Sequence, residues 1–236
     1  ATCGRPAPEP PAARTLSILI TNDDGIEAPG IAAVAEALRP LGTVTVAAPD
    51  RGRSGSSHGV TSDRAIAVRE SDRGGQRWIA LDALPPTCVR LAVDKLLAAK
   101  PDLVVSGINA GENLGAVTFY SATVGAAREA ALLGLPAIAV NLSRGNGMDY
   151  AAAAAVTAAI VRGLGRDGIA RGTFLNINVP PLPLERLRGL RLTRQDIRAP
   201  LHTYAKAVSA DGATEYLPGW KHLEPIGPDT DIWAVR

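Results

Sequence analysis

Apolar residues follow two rhythms along this chain. Short continuous runs rich in Val, Ile and Leu alternate with longer stretches in which apolar positions return every three or four residues. Leu16 to Ile20 predicts a first strand. Pro29 to Leu38, with Ile31, Val34, Ala35 and Leu38 on one face, predicts a helix. Thr43 to Ala47 predicts a second strand, and two short strands are expected around Ala65 to Val68 and Arg77 to Leu81. Pro85-Pro86-Thr87 opens a helix whose apolar set is Val89, Leu91, Ala92, Leu96 and Leu97. Asp102 to Ser106 has the unbroken apolar character of a strand buried on both faces. The remaining core elements are a small-residue helix over Ser121 to Leu133, a strand over Pro136 to Val140, a helix over Asp149 to Leu164, and a strand over Phe174 to Val179 that Pro180-Pro181 ends. Such alternation predicts an α/β fold with a doubly wound, mostly parallel sheet.

Beyond Leu182 the rhythm weakens. Leu190 to Thr193 reads as a strand, Thr203 to Tyr216 as a hairpin around Asp211-Gly212, and Ile232 to Val235 as a final strand. The expected organisation is a Pro-rich tail over 1–13, an α/β core over 14–180, and an irregular, β-rich extension over 181–236 that serves oligomerisation.

Composition narrows the partners. The chain is 46% hydrophobic and 20% charged with net charge +2, so it supports a core and offers too weak a basic bias for a nucleic-acid duplex or an anionic membrane. No apolar run reaches the length of a membrane span. The two cysteines, Cys3 and Cys88, have no metal-ligand spacing; Cys88 reads as a small core residue. The sequence does not begin with Met, which reads as a processed or trimmed chain. A cytoplasmic location is expected; an exported form tethered through Cys3 is the alternative.

Chemistry concentrates in three loops that leave strand ends, where open α/β sheets bind ligands. The first is Asn22-Asp23-Asp24-Gly25. Adjacent carboxylates at a buried strand end repel each other and fit a hard divalent cation, although a solvated Asx-rich turn fits the same residues. The second runs from Arg51 to Gly59 and holds Ser54, Ser56, Ser57 and His58. The third runs from Gly107 to Gly115 and holds Asn109 and Asn113. Converged at one sheet edge, they would surround an ion such as Mg²⁺ or Mn²⁺ with two carboxylates, a hydroxyl and an amide oxygen. Arg51, Arg53, glycine N–H groups and the helix start near Ser121 are candidate anion partners, so phosphate hydrolysis is the suggested chemistry. His58 reads as an exposed loop histidine. His202 and His222 carry no spacing signal, and Trp78, Trp220 and Trp233 read as core or interface residues. No P-loop and no nucleophile elbow occur, and no G-x-G-x-x-G follows the first strand, which disfavours a P-loop NTPase, an α/β-hydrolase and a standard dinucleotide fold. A phosphorelay receiver also places carboxylates after its first strand, but it is far shorter and needs a phospho-accepting Asp where this chain has Ser106 and Asn109.

Several ordered blocks together carry a family resemblance. Asn22-Asp23-Asp24-Gly25 with Ala28-Pro29-Gly30 resembles the opening motif of the SurE family, the survival-protein 5′/3′-nucleotidases. Ala48-Pro49-Asp50-Arg51 with Arg53-Ser54-Gly55, Val105 to Gly111 with Asn113-Leu114-Gly115, Tyr120-Ser121-Ala122-Thr123-Val124, and Phe174 to Pro180 agree in order and spacing. The resemblance implies a Rossmann-like α/β/α sandwich and hydrolysis of nucleoside monophosphates by a metal-activated water. It implies one divalent ion per subunit, Mg²⁺ or Mn²⁺ with Ca²⁺ as a possible occupant, on Asp23, Asp24, Ser54 and Asn109. Asp23, Asp24 and Asn109 would be catalytic, and Asn22, Asn113, Ser121 and Thr123 would lie near the phosphate. It implies a homodimer or homotetramer, because members exchange a C-terminal arm. Three departures stand out. Ala122 replaces a usual Gly and would strain the turn if φ there is positive. An expected Asp is missing before Cys88, and the sequence ends at Arg236 within what the family continues as a strand. A broad phosphomonoesterase or short-chain exopolyphosphatase is the alternative activity, and a metal- or nucleotide-binding module without turnover is the non-enzyme reading.

Overall fold

The computed structural model describes residues 15–146, 148–164, 168–198, 201–221 and 227–235. The Pro-rich tail with Cys3, and His222, fall outside these residues.

The first strand, β1 (Leu16–Thr21), lies at the centre of the sheet. Its alternation feeds two cores at once: Ile18 and Ile20 pack on one side and Leu19 on the other. α1 (Pro29–Leu38) starts on Pro29, whose fixed φ suits a first helical position, and buries Ile31, Val34 and Leu38. β2 (Gly42–Pro49) pairs parallel to β1. β3 (Val68–Arg73) and β4 (Gln76–Leu81) form an antiparallel hairpin through Gly74-Gly75, with β4 parallel to β2. α2 (Pro85–Leu91) continues into a wider π turn over Ala92–Leu96. β5 (Leu103–Ala110), α3 (Ala122–Leu132), β6 (Ala137–Leu142), α4 (Tyr150–Leu164) and β7 (Phe174–Val179) complete the core.

The seven strands run in the order β3-β4-β2-β1-β5-β6-β7, parallel except for the β3 edge. α1 and α4 cover one face; α2 and α3 cover the other. The expected three-layer, doubly wound architecture is therefore present. Strand order reverses at β1, which has β2 on one flank and β5 on the other. Open α/β sheets bind ligands in the crevice at such a switch point, which here lies beyond the carboxyl ends of β1 and β5.

Three expected elements differ. The strand foreseen at Ala65 to Val68 begins at Val68 and extends to Arg73; it is an exposed, charged edge that lacks the apolar alternation of a half-buried strand. Leu190 to Thr193 forms no strand, and Leu192 is 95% exposed there. Ile232 to Val235 belongs to a helical turn, α5 (Asp231–Val235), rather than a strand: Asp231 accepts from Ile232 N, and Ala234 N closes on Thr230 O. These local bonds outweigh β-branched propensity. The expected hairpin is present as β8 (Leu201–Val208) and β9 (Thr214–Lys221), which among the described residues pair with each other alone. Cys88 is fully buried and its thiol is pushed upward by desolvation; Trp78 is a core residue. Among the described residues no helix is long and apolar enough to cross a membrane.

Candidate active site

β1 delivers Asn22, Asp23 and Asp24 into the crevice. Gly25 has φ of 101°, and a Cβ there would lie 2.9 Å from the Arg51 carbonyl carbon. Only glycine lets the acidic turn and the Arg51 loop approach this closely. Arg53 N donates to Asp23 O at 2.7 Å, which places Ser54 one residue from the turn with its side chain exposed.

β5 brings the third loop. Its register against β6 shifts between Ser106 and Asn109, around Gly107 at φ 137°. A Cβ on Gly107 would meet Val140 O at 2.3 Å. This bulge carries the strand end towards β1. Ala110 N then donates to Asp24 Oδ2 at 3.2 Å, and Asn109 Nδ2 donates to Gly111 O at 2.8 Å, which leaves the amide oxygen as the group it can offer.

α3 closes the site from the other face. Ser121 caps it, its Oγ accepting from Val124 N at 3.1 Å, and the Thr123 hydroxyl donates to Asp23 Oδ1. Ala122 is the first helical residue. Among the described residues Ser57 is the one non-glycine with positive φ, so Ala122 fits without backbone strain.

Electrostatics mark the pair. Asp23 is 4% exposed, and burial raises its carboxyl from 3.8 to about 6, with the Asp24 charge adding and the Thr123 hydrogen bond opposing. Burial also raises Asp24, against the Ala110 N–H and the Arg144 charge. Asn22 is fully buried; its Nδ2 donates to Gly25 O at 2.8 Å, while its Oδ1 has no partner. Two carboxylates held against desolvation, beside an orphaned amide oxygen, suit a hard cation with oxygen ligands. Among the described residues no group of three or more His, Cys, Asp or Glu gathers as a metal cage.

The predicted residues do not all take the same position. Thr123 meets Asp23, and Asn109 precedes Ala110, whose N–H meets Asp24. Asn113 is buried and tied away from the pair: its Nδ2 donates to Asn141 Oδ1 at 2.6 Å, its N donates to Asn178 Oδ1 at 2.9 Å, and its O accepts from Asn176 Nδ2 at 2.8 Å. Arg51 and Arg53 are not open anion receptors. Arg53 donates to Asp82 at 2.6 Å and to Asp50 at 3.3 Å, and Arg51 reaches the same Asp82. His58 is half-buried rather than exposed: Nε2 lies 2.7 Å from Glu129 Oε2, and Arg90 pairs with the other oxygen. Strand-end reasoning applied to β6 as well would have found Arg144, whose Nε donates to Ala110 O at 3.3 Å. The asparagines of β6 and β7 carry no signal of their own until the two strands are known to be neighbours.

These features define a class: a doubly wound α/β protein with a pair of desolvated carboxylates at its switch point. The profile described as "Survival protein SurE" matches residues 18–200, and the chain belongs to that family. It is 47% identical over 225 residues to the 5′-nucleotidase SurE of Geobacter sulfurreducens, covering 94% of this chain and 84% of that relative. It is 47% identical to the 5′/3′-nucleotidase SurE of Salmonella arizonae, covering 93% of this chain and 86% of the relative. The crystal structure of the SurE protein of Aquifex aeolicus matches with a TM-score of 0.80 at 38% identity, over 92% of this chain and 88% of that one.

Proposed function

We propose that this chain is a 5′/3′-nucleotidase that hydrolyses the phosphate monoester of nucleoside monophosphates, using one divalent ion per subunit, Mg²⁺ or Mn²⁺. The observation that carries the reading is the desolvated Asp23–Asp24 pair at the switch point, with Thr123 on one carboxylate and the Ala110 N–H on the other. The names of the related nucleotidases support the reaction.

Asp23 and Asp24, the Asn109 amide oxygen and the Ser54 hydroxyl would hold the ion. When bound, it supplies charge stabilisation for the phosphoryl group and activation of water. Thr123 fixes the orientation of Asp23 by donating its proton. Ser121 accepts from Val124 N and keeps its own proton to donate to a phosphate oxygen at the amino end of α3, where the helix dipole favours anions. Asn22 lines the buried side of the turn. Asn113, held by its asparagine neighbours, orders the loop between Asn109 and the α3 start.

The test is phosphate release from a panel of nucleoside 5′- and 3′-monophosphates, an aryl phosphate and short polyphosphate, with Mg²⁺ or Mn²⁺ and then with EDTA. Metal-dependent release ranked highest for nucleotides is expected. A preference for the aryl ester or polyphosphate would shift the substrate class, and no release with any metal would refute the enzyme.

A further inference from the structure

The far end of the chain reaches back to the third loop. Asp231 is buried, at 9% exposure, and its carboxylate accepts three backbone N–H groups. Gly115 N donates to Oδ2 at 2.7 Å; Asp196 N and Ile232 N donate to Oδ1 at 3.0 and 2.9 Å. Gln195 holds the same glycine from its other side, with Nε2 donating to Gly115 O at 2.8 Å and to Thr118 Oγ1 at 2.7 Å. A Cβ on Gly115 would stand 2.7 Å from Asp196 O, so the two segments meet backbone to backbone. Asp231 is itself placed by a short bridge in which Asp231 N donates to Arg194 O at 2.9 Å and Arg194 N to Asp229 O at 2.8 Å.

What Gly115 begins decides the consequence. Gly115–Phe119 is a single tight turn that leads through Tyr120 to the Ser121 cap and Thr123. The carbonyls at the end of that turn also hold the Ser54 loop: Ser57 N donates to Tyr120 O at 3.1 Å and Ser57 Oγ to Phe119 O at 2.5 Å. One turn thus connects to the α3 start on one side and to the Ser54 loop on the other.

We propose that Asp231 and Gln195 are positioning residues that clasp Gly115 and so hold Ser121, Thr123 and the Ser54 loop in register for turnover. The proposal rests on the nucleotidase reading. Neither side chain touches substrate; both act through the Gly115–Phe119 turn. Asp23, Asp24 and Asn109, three of the four groups that would hold the ion, follow β1 or end β5, outside the clasp. Its loss therefore lowers turnover more than ion binding.

The experiment compares the full chain with Gln195→Ala and Asp231→Ala. Steady-state phosphate release from a nucleoside monophosphate gives kcat and KM, and Mn²⁺ binding is followed by electron paramagnetic resonance. Expected is a fall in kcat of roughly tenfold or more in Asp231→Ala, the scale of one lost charge-assisted hydrogen bond, and of roughly fivefold in Gln195→Ala, which loses neutral ones, with Mn²⁺ affinity falling less than kcat in both. Gln195 is exposed and can be removed without opening the core, so it decides the matter if Asp231→Ala does not fold. Gln195→Ala with kcat within about twofold of the parent would overturn the clasp, as would equal losses of turnover and Mn²⁺ binding. A parent chain that neither turns over nor binds Mn²⁺ would refute the nucleotidase reading instead.

Discussion

Stripping divalent ions and raising the pH should loosen this fold, and Asp23 sets the size of the effect. Its carboxyl rises from 3.8 to about 6 on burial. Between those values the native state keeps a proton that the unfolded chain has released. The native state binds more protons, so stability falls as pH rises; the contribution is intact below 3.8 and lost above about 6. A change of about two units corresponds to roughly 3 kcal/mol, of which roughly 2 kcal/mol falls between pH 4.5 and 7.5. For a chain of this size that is roughly 4–8 °C in Tm. Asp24 shifts in the same direction and adds to the total. Asp23→Asn keeps an acceptor for Thr123 and has no charge to bury. The assay is scanning calorimetry of parent and Asp23→Asn in EDTA at pH 4.5 and 7.5. The variant should gain on the parent by that 4–8 °C at the higher pH, and Mg²⁺ or Mn²⁺ should then raise the parent but not the variant. An equal Tm difference at both pH values would refute the reasoning.

Other substitutions probe other parts of the same frame. Gly107→Ala should cost about 3 kcal/mol or more in urea unfolding, since its Cβ would meet Val140 O at 2.3 Å and φ there is 137°. Asn141→Leu leaves Asn113 Nδ2 and Asn176 Oδ1 without their partner, so a loss of about 2–4 kcal/mol by the same method is expected; an unchanged midpoint would deny the network. His58→Ala removes one of the two side chains that pair with buried Glu129 and should cost about 1–3 kcal/mol, measured by chemical denaturation. Ala122→Gly should lower stability by about 1 kcal/mol and leave kcat no higher, because the site needs a helical residue there; a gain in turnover would show that the methyl narrows the pocket.

The core elements were legible because burial on both faces writes itself into the chain. Ile18, Leu19 and Ile20 alternate between two cores, so the run has no polar gaps, and Pro29 marks the helix that follows. The acidic turn was legible for the opposite reason: charge where apolar burial stops is costly and calls for a purpose. The edge strand β3 was not, since Arg69, Glu70 and Asp72 face solvent and leave no period to read. His58 could not be placed from the sequence because its partner Glu129 is 71 residues away. Arg51 and Arg53 misled for the same reason, their carboxylate partner Asp82 lying across the β2–β4 crossover. α5 misled because Ile232 to Val235 has strand composition, while the deciding bonds come from Thr230 and Asp231 just before it.

The switch point also dictates an order of events. β1 is made early, yet Ala110, which holds Asp24, follows 86 residues later, and Thr123, which holds Asp23, follows after 100. At about 5–20 residues per second, 86 residues take roughly 4–17 s of synthesis. During that interval the acidic turn has no β5 beside it and no α3 above it, so both carboxylates stay hydrated and ionise freely. The desolvation of Asp23 thus waits for α3 rather than following directly on β1, and an ion that bound the completed turn would favour chains that have reached that stage over every earlier form.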